Sequence, residues 1–124
     1  MAIHGGFRAV AFGGVLSLVA VSAAYPHAQL DRANPPAGAT LAAAPVEVTL
    51  HFTEKIEPKF STIVVRDAAG KQVDQRDSSV QEQDPQTLRV SLPALAPGRY
   101  KIEWRVTSVD THSSRGEYSF RVGK

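Results

Sequence analysis

Tyr100-Lys101-Ile102-Glu103-Trp104-Arg105-Val106-Thr107 sets an apolar side chain at every even position and a polar one at every odd position. Successive side chains of an extended chain point to opposite faces, so this is a strand with one face in a core and one in water. Trp104, inside that apolar column, is expected to anchor the core. The same pattern recurs outward along the chain. Val46, Val48, Leu50 and Phe52 alternate with Glu47, Thr49, His51 and Thr53, and Leu88, Val90 and Leu92 with Thr87, Arg89 and Ser91. Tyr118, Phe120 and Val122 close the chain in the same way. Residues 60–65 are a β-branched run, and Ala69-Gly70-Lys71 reads as a turn into a short strand near Val73. No stretch has helical periodicity.

The punctuation agrees with strands. Pro97-Gly98 suits the central positions of a type II turn, with proline fixing φ and glycine accepting positive φ. Asn34-Pro35-Pro36-Ala37-Gly38 contains two consecutive residues without a backbone donor, so it reads as a loop after a first strand at residues 28–32. Residues 75–86 are polar and contain Asp84-Pro85, which predicts an exposed connection. Six or seven short strands at this spacing predict an all-β sandwich or barrel.

The N-terminal part reads differently. One arginine, Arg8, precedes an apolar run at residues 9–21, and Ser22, Ala23 and Ala24 supply small residues after it. That is the three-part pattern of a secretory signal, and the run is shorter than the ~20 residues a membrane-spanning helix needs. Residues 1–24 are therefore expected to be a signal peptide and residues 25–124 one exported, soluble domain. The 124-residue chain has no cysteine. Disulfides, thiolate metal sites and cysteine nucleophiles are excluded, and stability must come from packing. The formal net charge of +2 is small and its charges are dispersed, unlike the basic stripe of a nucleic-acid-binding protein.

The expected mature chain carries His27, His51 and His112. His51 falls on the polar face of its strand with no neighbouring ligand in sequence, and is assigned no role. His112 is two residues from Asp110, and in an extended segment both would face the same way. They would continue the column of Val106 and Ser108 to one mouth of the sandwich. A polar loop in which Asp110 caps backbone amides is the competing account of Asp-x-His alone. His27, close to the expected cleavage site, adds an imidazole and, if terminal, an α-amine. Such a nitrogen- and oxygen-rich set suits Cu(II), which also heads the affinity order of divalent ions.

These residues, taken with their surroundings, resemble the periplasmic copper-resistance protein C (CopC) family. His27-Ala28-Gln29-Leu30 and Asn34-Pro35-Pro36-Ala37-Gly38 are similar to the family's opening His-Ala-x-Leu and its Pro-Ala-x-Gly turn. Phe52-Thr53-Glu54 resembles its Phe-Ser-Glu, and Pro97-Gly98-x-Tyr100 with Trp104 its Pro-Gly-x-Tyr-x-x-x-Trp. Ser108-Val109-Asp110-Thr111-His112, followed by Gly116 and Phe120-Arg121-Val122, resembles its ending.

The resemblance implies a Greek-key β-sandwich of about seven strands, immunoglobulin- or cupredoxin-like. It implies one Cu(II) held by His27, Asp110 and His112, with Glu54 in or beside the ligand set. It further implies a periplasmic copper carrier that sequesters Cu(II) or passes it to an inner-membrane copper transporter, and nothing in the sequence demands more than a monomer. Some members also hold Cu(I) on methionines. Met1 is the only methionine here, so a Cu(II)-only protein is expected. Two other functions compete: a copper-dependent oxidative enzyme built on an N-terminal histidine, and an immunoglobulin-like module that binds no metal. Binding without catalysis is the expectation, since Asp110 would occupy a position such an enzyme keeps open for oxygen. Tyr25-Pro26 stand between the expected cleavage site and His27, which leaves the mature terminus at Tyr25 or His27.

Overall fold

The alternating segments become strands whose apolar faces meet. The computed structural model describes residues 28–123. In order these form β1 (Leu30–Asn34), β2 (Thr40–Leu41), β3 (Glu47–Phe52), a 3-10 turn (Pro58–Phe60), β4 (Thr62–Arg66), β5 (Ser79–Gln81), β6 (Asp84–Ser91), β7 (Gly98–Thr107) and β8 (Ser113–Val122). One sheet has the order β1-β3-β6-β5 and the other β2-β8-β7-β4. The chain changes sheet at most connections; only β5–β6 and β7–β8 join neighbours within a sheet. The fold is thus the all-β sandwich expected, with eight strands. Strand neighbours are antiparallel except β2, which lies parallel to the end of β8 at Arg121 and Val122. The expected leader and residues 25–27 lie outside the described residues.

Between the sheets, Val48, Leu50 and Phe52 of β3 and Leu88 and Val90 of β6 face Ile63, Val65, Ile102, Val106 and Phe120 of the second sheet, all buried. At roughly 1.5–3 kcal/mol per fully buried large aliphatic or aromatic side chain, this layer is the main source of stability in a domain without disulfides. Trp104 departs from the expected deep anchor. It is half-buried at the margin of the core, with its ring edge-on to Phe52 at a centroid distance of 5.2 Å.

Several boundaries differ from the sequence expectations, each for a local reason. The first strand begins at Leu30, because the backbone of Gln29 is engaged with Thr53. In the 60–65 run, Phe60 belongs to the 3-10 turn and is 62% exposed. Near Val73 there is only a bridge between Arg66 and Gln72. Asp74 replaces ladder bonding there: its buried carboxylate accepts from the backbone N–H of Val65 (2.8 Å) and of Arg76 (3.0 Å). Residues 75–86 are not wholly a connection, since they contain β5 and the start of β6. Gly98 has φ of 153°, far from the value near +80° of a type II turn, and instead begins β7. Tyr100 secures this corner by donating its hydroxyl to the Ala96 carbonyl at 2.6 Å.

Candidate metal centre at the β7–β8 turn

β7 and β8 pair without a break up to Thr107 and Ser113. The three residues Val109, Asp110 and Thr111 then turn the chain. Ser108 N–H donates to the His112 carbonyl and Thr111 N–H to the Ser108 carbonyl, both at 2.8 Å, while Thr111 takes the left-handed conformation at φ of 75°. A short turn closed by a left-handed residue is a common three-residue hairpin loop. The strand therefore does not continue to His112. Asp110 and His112 come together through this turn, and not through the shared face of an extended segment.

Their approach is direct. His112 Nδ1 lies 3.3 Å from Asp110 Oδ1, and both side chains are about half exposed. The fully buried Ser108 hydroxyl donates to the same carboxylate oxygen and accepts from the His112 N–H at 3.3 Å. The Ser108 hydrogen bond, followed by that of His112, holds the Asp110 carboxyl below the ordinary aspartate range. An ionised oxygen and an imidazole nitrogen at this separation can both bind one ion at ~2 Å, the usual distance of first-row metals from nitrogen and oxygen.

Other segments are tied to this turn. The Ser114 hydroxyl donates to the Ala28 carbonyl at 2.7 Å, drawing the start of the described chain to the beginning of β8. Gln29 and Thr53 exchange two bonds of 2.9 Å. Ile56 bridges Ser108, and Val109 N–H donates to the Lys55 carbonyl at 3.0 Å. The backbone of Glu54 thus runs next to the turn. Among the described residues, however, no three His, Asp or Glu side chains gather into a ligand cluster, so Glu54 is not joined to Asp110 and His112. His27 lies outside the described residues.

His51 sits on the outer face of the first sheet, as its parity predicts, but it is less isolated than the sequence suggests. Its Nδ1 is 2.9 Å from Thr87 Oγ1, which donates to Asp84 at 2.6 Å. The link arises because β3 and β6 pair His51 with Thr87, and no local sequence signal reveals it. The sequence reading also gave no role to Ser108 or Ser114. Ser108 was detectable in principle, since it continues the buried parity of β7.

Residues 30–123 match the family model described as the CopC domain. The chain is 37% identical over 99 residues to Protein YobA of Escherichia coli (strain K12), covering 79% of this chain and 80% of that protein. It is 33% identical over 106 residues to Copper resistance protein C of Pseudomonas syringae pv. tomato, covering 80% and 82%. Among solved structures, CopC from Methylosinus trichosporium OB3b aligns with a TM-score of 0.74 at 37% identity, covering 78% of this chain and 94% of that one.

Proposed function

This chain belongs to the CopC domain family, and on that premise we propose that it is a periplasmic carrier binding one Cu(II) ion through Asp110, His112 and His27. The observation that carries the proposal is the 3.3 Å approach of His112 Nδ1 to an Asp110 carboxylate that Ser108 orients by a hydrogen bond. Supporting it, the Ala28 carbonyl is held by Ser114, two residues after His112. Glu54, on a segment tied to the same turn, is assigned to the margin of the set, adjusting its geometry or its competition with protons. Copper is cargo here: the protein sequesters it or delivers it to an inner-membrane transporter, with no chemical step. Residues 1–24 act as the export signal, residues 25–124 form the mature domain, and the carrier works as a monomer.

The test is a Cu(II) titration of the mature protein followed by spectroscopy and thermal melting. One ion should bind, with a tetragonal spectrum indicating nitrogen ligands. A ligand that binds only the folded state stabilises it by ~2.7 kcal/mol at 100-fold excess over Kd. The copper-induced rise in Tm should shrink in His112→Ala and Asp110→Ala and persist in His51→Ala. Equal loss in all three variants refutes the assignment.

A further inference from the structure

The outer face of the sheet containing β4, β7 and β8 leaves two rows of like charge uncompensated, Arg105 with Arg115 and Arg99 with Arg121, and the first of these lies next to the metal centre. Cross-strand pairing sets Arg105 directly opposite Arg115, with Thr62 on the other side of Arg105. Like charges placed directly opposite are unfavourable in a sheet. The next row, Glu103 opposite Glu117, has the same fault but is neutralised. Arg66 reaches Glu103 at 3.2 Å, and Lys101 reaches Glu103 at 3.4 Å and Glu117 at 4.0 Å. These cations lie on the far side of the glutamates from the arginines. Arg105 and Arg115 make no ion pair or side-chain hydrogen bond with any described residue. Both line a shallow groove of about 620 Å³ between β4, β7 and β8, together with the neutralised Glu103 and Glu117 at its other end.

We infer that this groove docks an acidic segment of a protein partner, with carboxylates seated on Arg105 and Arg115. Two guanidinium groups on adjacent strands match carboxylate oxygens with paired, charge-assisted hydrogen bonds. Phe60, 62% exposed and two residues before Thr62 in the chain, is an apolar side chain on the segment leading into the groove. The glutamate row limits the basic patch to a narrow band, which fits a short acidic segment and opposes a broad anionic lipid surface.

The location gives the docking a purpose. Arg105 and Arg115 are two residue pairs from Thr107 and Ser113, which close the hairpin carrying Asp110 and His112. At ~3.3 Å per residue, a partner seated there has its own groups close to the mouth of the metal centre. This purpose rests on the copper-carrier reading; the docking itself rests on the surface alone.

The fold contains its own control. Arg99 and Arg121 form a second directly opposed pair at the other end of β7 and β8, away from Phe60 and the turn. The experiment titrates copper-free, isotopically labelled protein with a hexaglutamate peptide and follows backbone amide shifts. Saturable shifts centred on Thr62, Arg105, Ser113 and Arg115 are expected. Arg105→Glu/Arg115→Glu should weaken binding about tenfold or more, as expected when interface charges are reversed. Arg105→Gln/Arg115→Gln should weaken it without charge reversal, and Arg99→Glu/Arg121→Glu should change it little. Equal loss from both glutamate pairs, no saturable binding, or a preference for vesicles containing anionic lipid would overturn the inference. Cu(II) binding by the same variants is measured in parallel. Intact copper binding with lost peptide binding in the Arg105/Arg115 variants supports a separate docking site. Absence of copper binding in every protein would sink the carrier reading and leave the docking result standing.

Discussion

The indole of Trp104 lies over its cross-strand partner Gly116, so closely that a Cβ on residue 116 would stand 2.6 Å from the ring. No real Cβ tolerates that distance, and the ring is also set against Phe52. Gly116→Ala should therefore displace the indole and cost about 1–3 kcal/mol, the usual range for overpacking. Urea unfolding followed by tryptophan fluorescence would detect both the lower midpoint and an altered native spectrum. An unchanged midpoint would mean the indole moves away freely.

Ser108 is the hidden support of the proposed metal centre. Ser108→Ala removes the bond that orients the Asp110 carboxyl while leaving both proposed ligands of the turn in place. Loss of such an outer partner typically reduces metal affinity about 10- to 100-fold. Competitive Cu(II) titration near neutral pH should give that loss through misorientation of the carboxylate. Wild-type affinity in the variant would remove Ser108 from the account.

If the proposed site includes His27, the start of the mature chain sets the nitrogen count at copper. A protein beginning at His27 offers an α-amine and its own imidazole, whereas one beginning at Tyr25 has Pro26 at its second position and no amide N–H to lose there. The His27 form should bind Cu(II) more tightly and with more nitrogen ligands by electron spin resonance. Intact mass of the exported protein identifies which form the cell makes. Equal affinities would show that the amine is not a ligand.

Acid should weaken the fold through three carboxylates. The Ser91 N–H lowers the pKa of Asp77, the Thr87 hydroxyl that of Asp84, and the Ser108 hydroxyl that of Asp110. A carboxyl with a lowered folded-state pKa adds stability above its unfolded value and loses it as pH falls through the folded one. The urea midpoint of the copper-free protein should therefore be steady near pH 6 and fall steeply below pH ~4. Asp77→Asn/Asp84→Asn should flatten that fall, and an identical slope in the variant would contradict the assignment.

How legible each part was in the sequence follows from where its cause lies. The sandwich was readable because β3, β6 and β7 each bury one face, and a buried face imposes alternation on the residues themselves. β5 was not, because Ser79-Val80-Gln81 is an edge strand whose pairing comes from its neighbour β6. Asp110 and His112 do lie close together, but through a turn and not through the strand geometry the sequence suggests. The turn that joins them depends on buried Ser108 and left-handed Thr111. The His51–Thr87–Asp84 chain was invisible, since its members meet only through the register of β3 and β6.

The parallel placement of β2 has a consequence for how the molecule behaves in a crowded compartment. β2 covers β8 only at Arg121 and Val122, so much of the rest of that strand borders the sheet without a neighbouring strand. Such a border invites the strand of another molecule and, repeated, the growth of fibres. This one carries exposed Arg115 and Glu117, charges of the kind that blunt edge-to-edge pairing. A second molecule adding there would have to confine those charges against its own backbone, which opposes edge-to-edge growth.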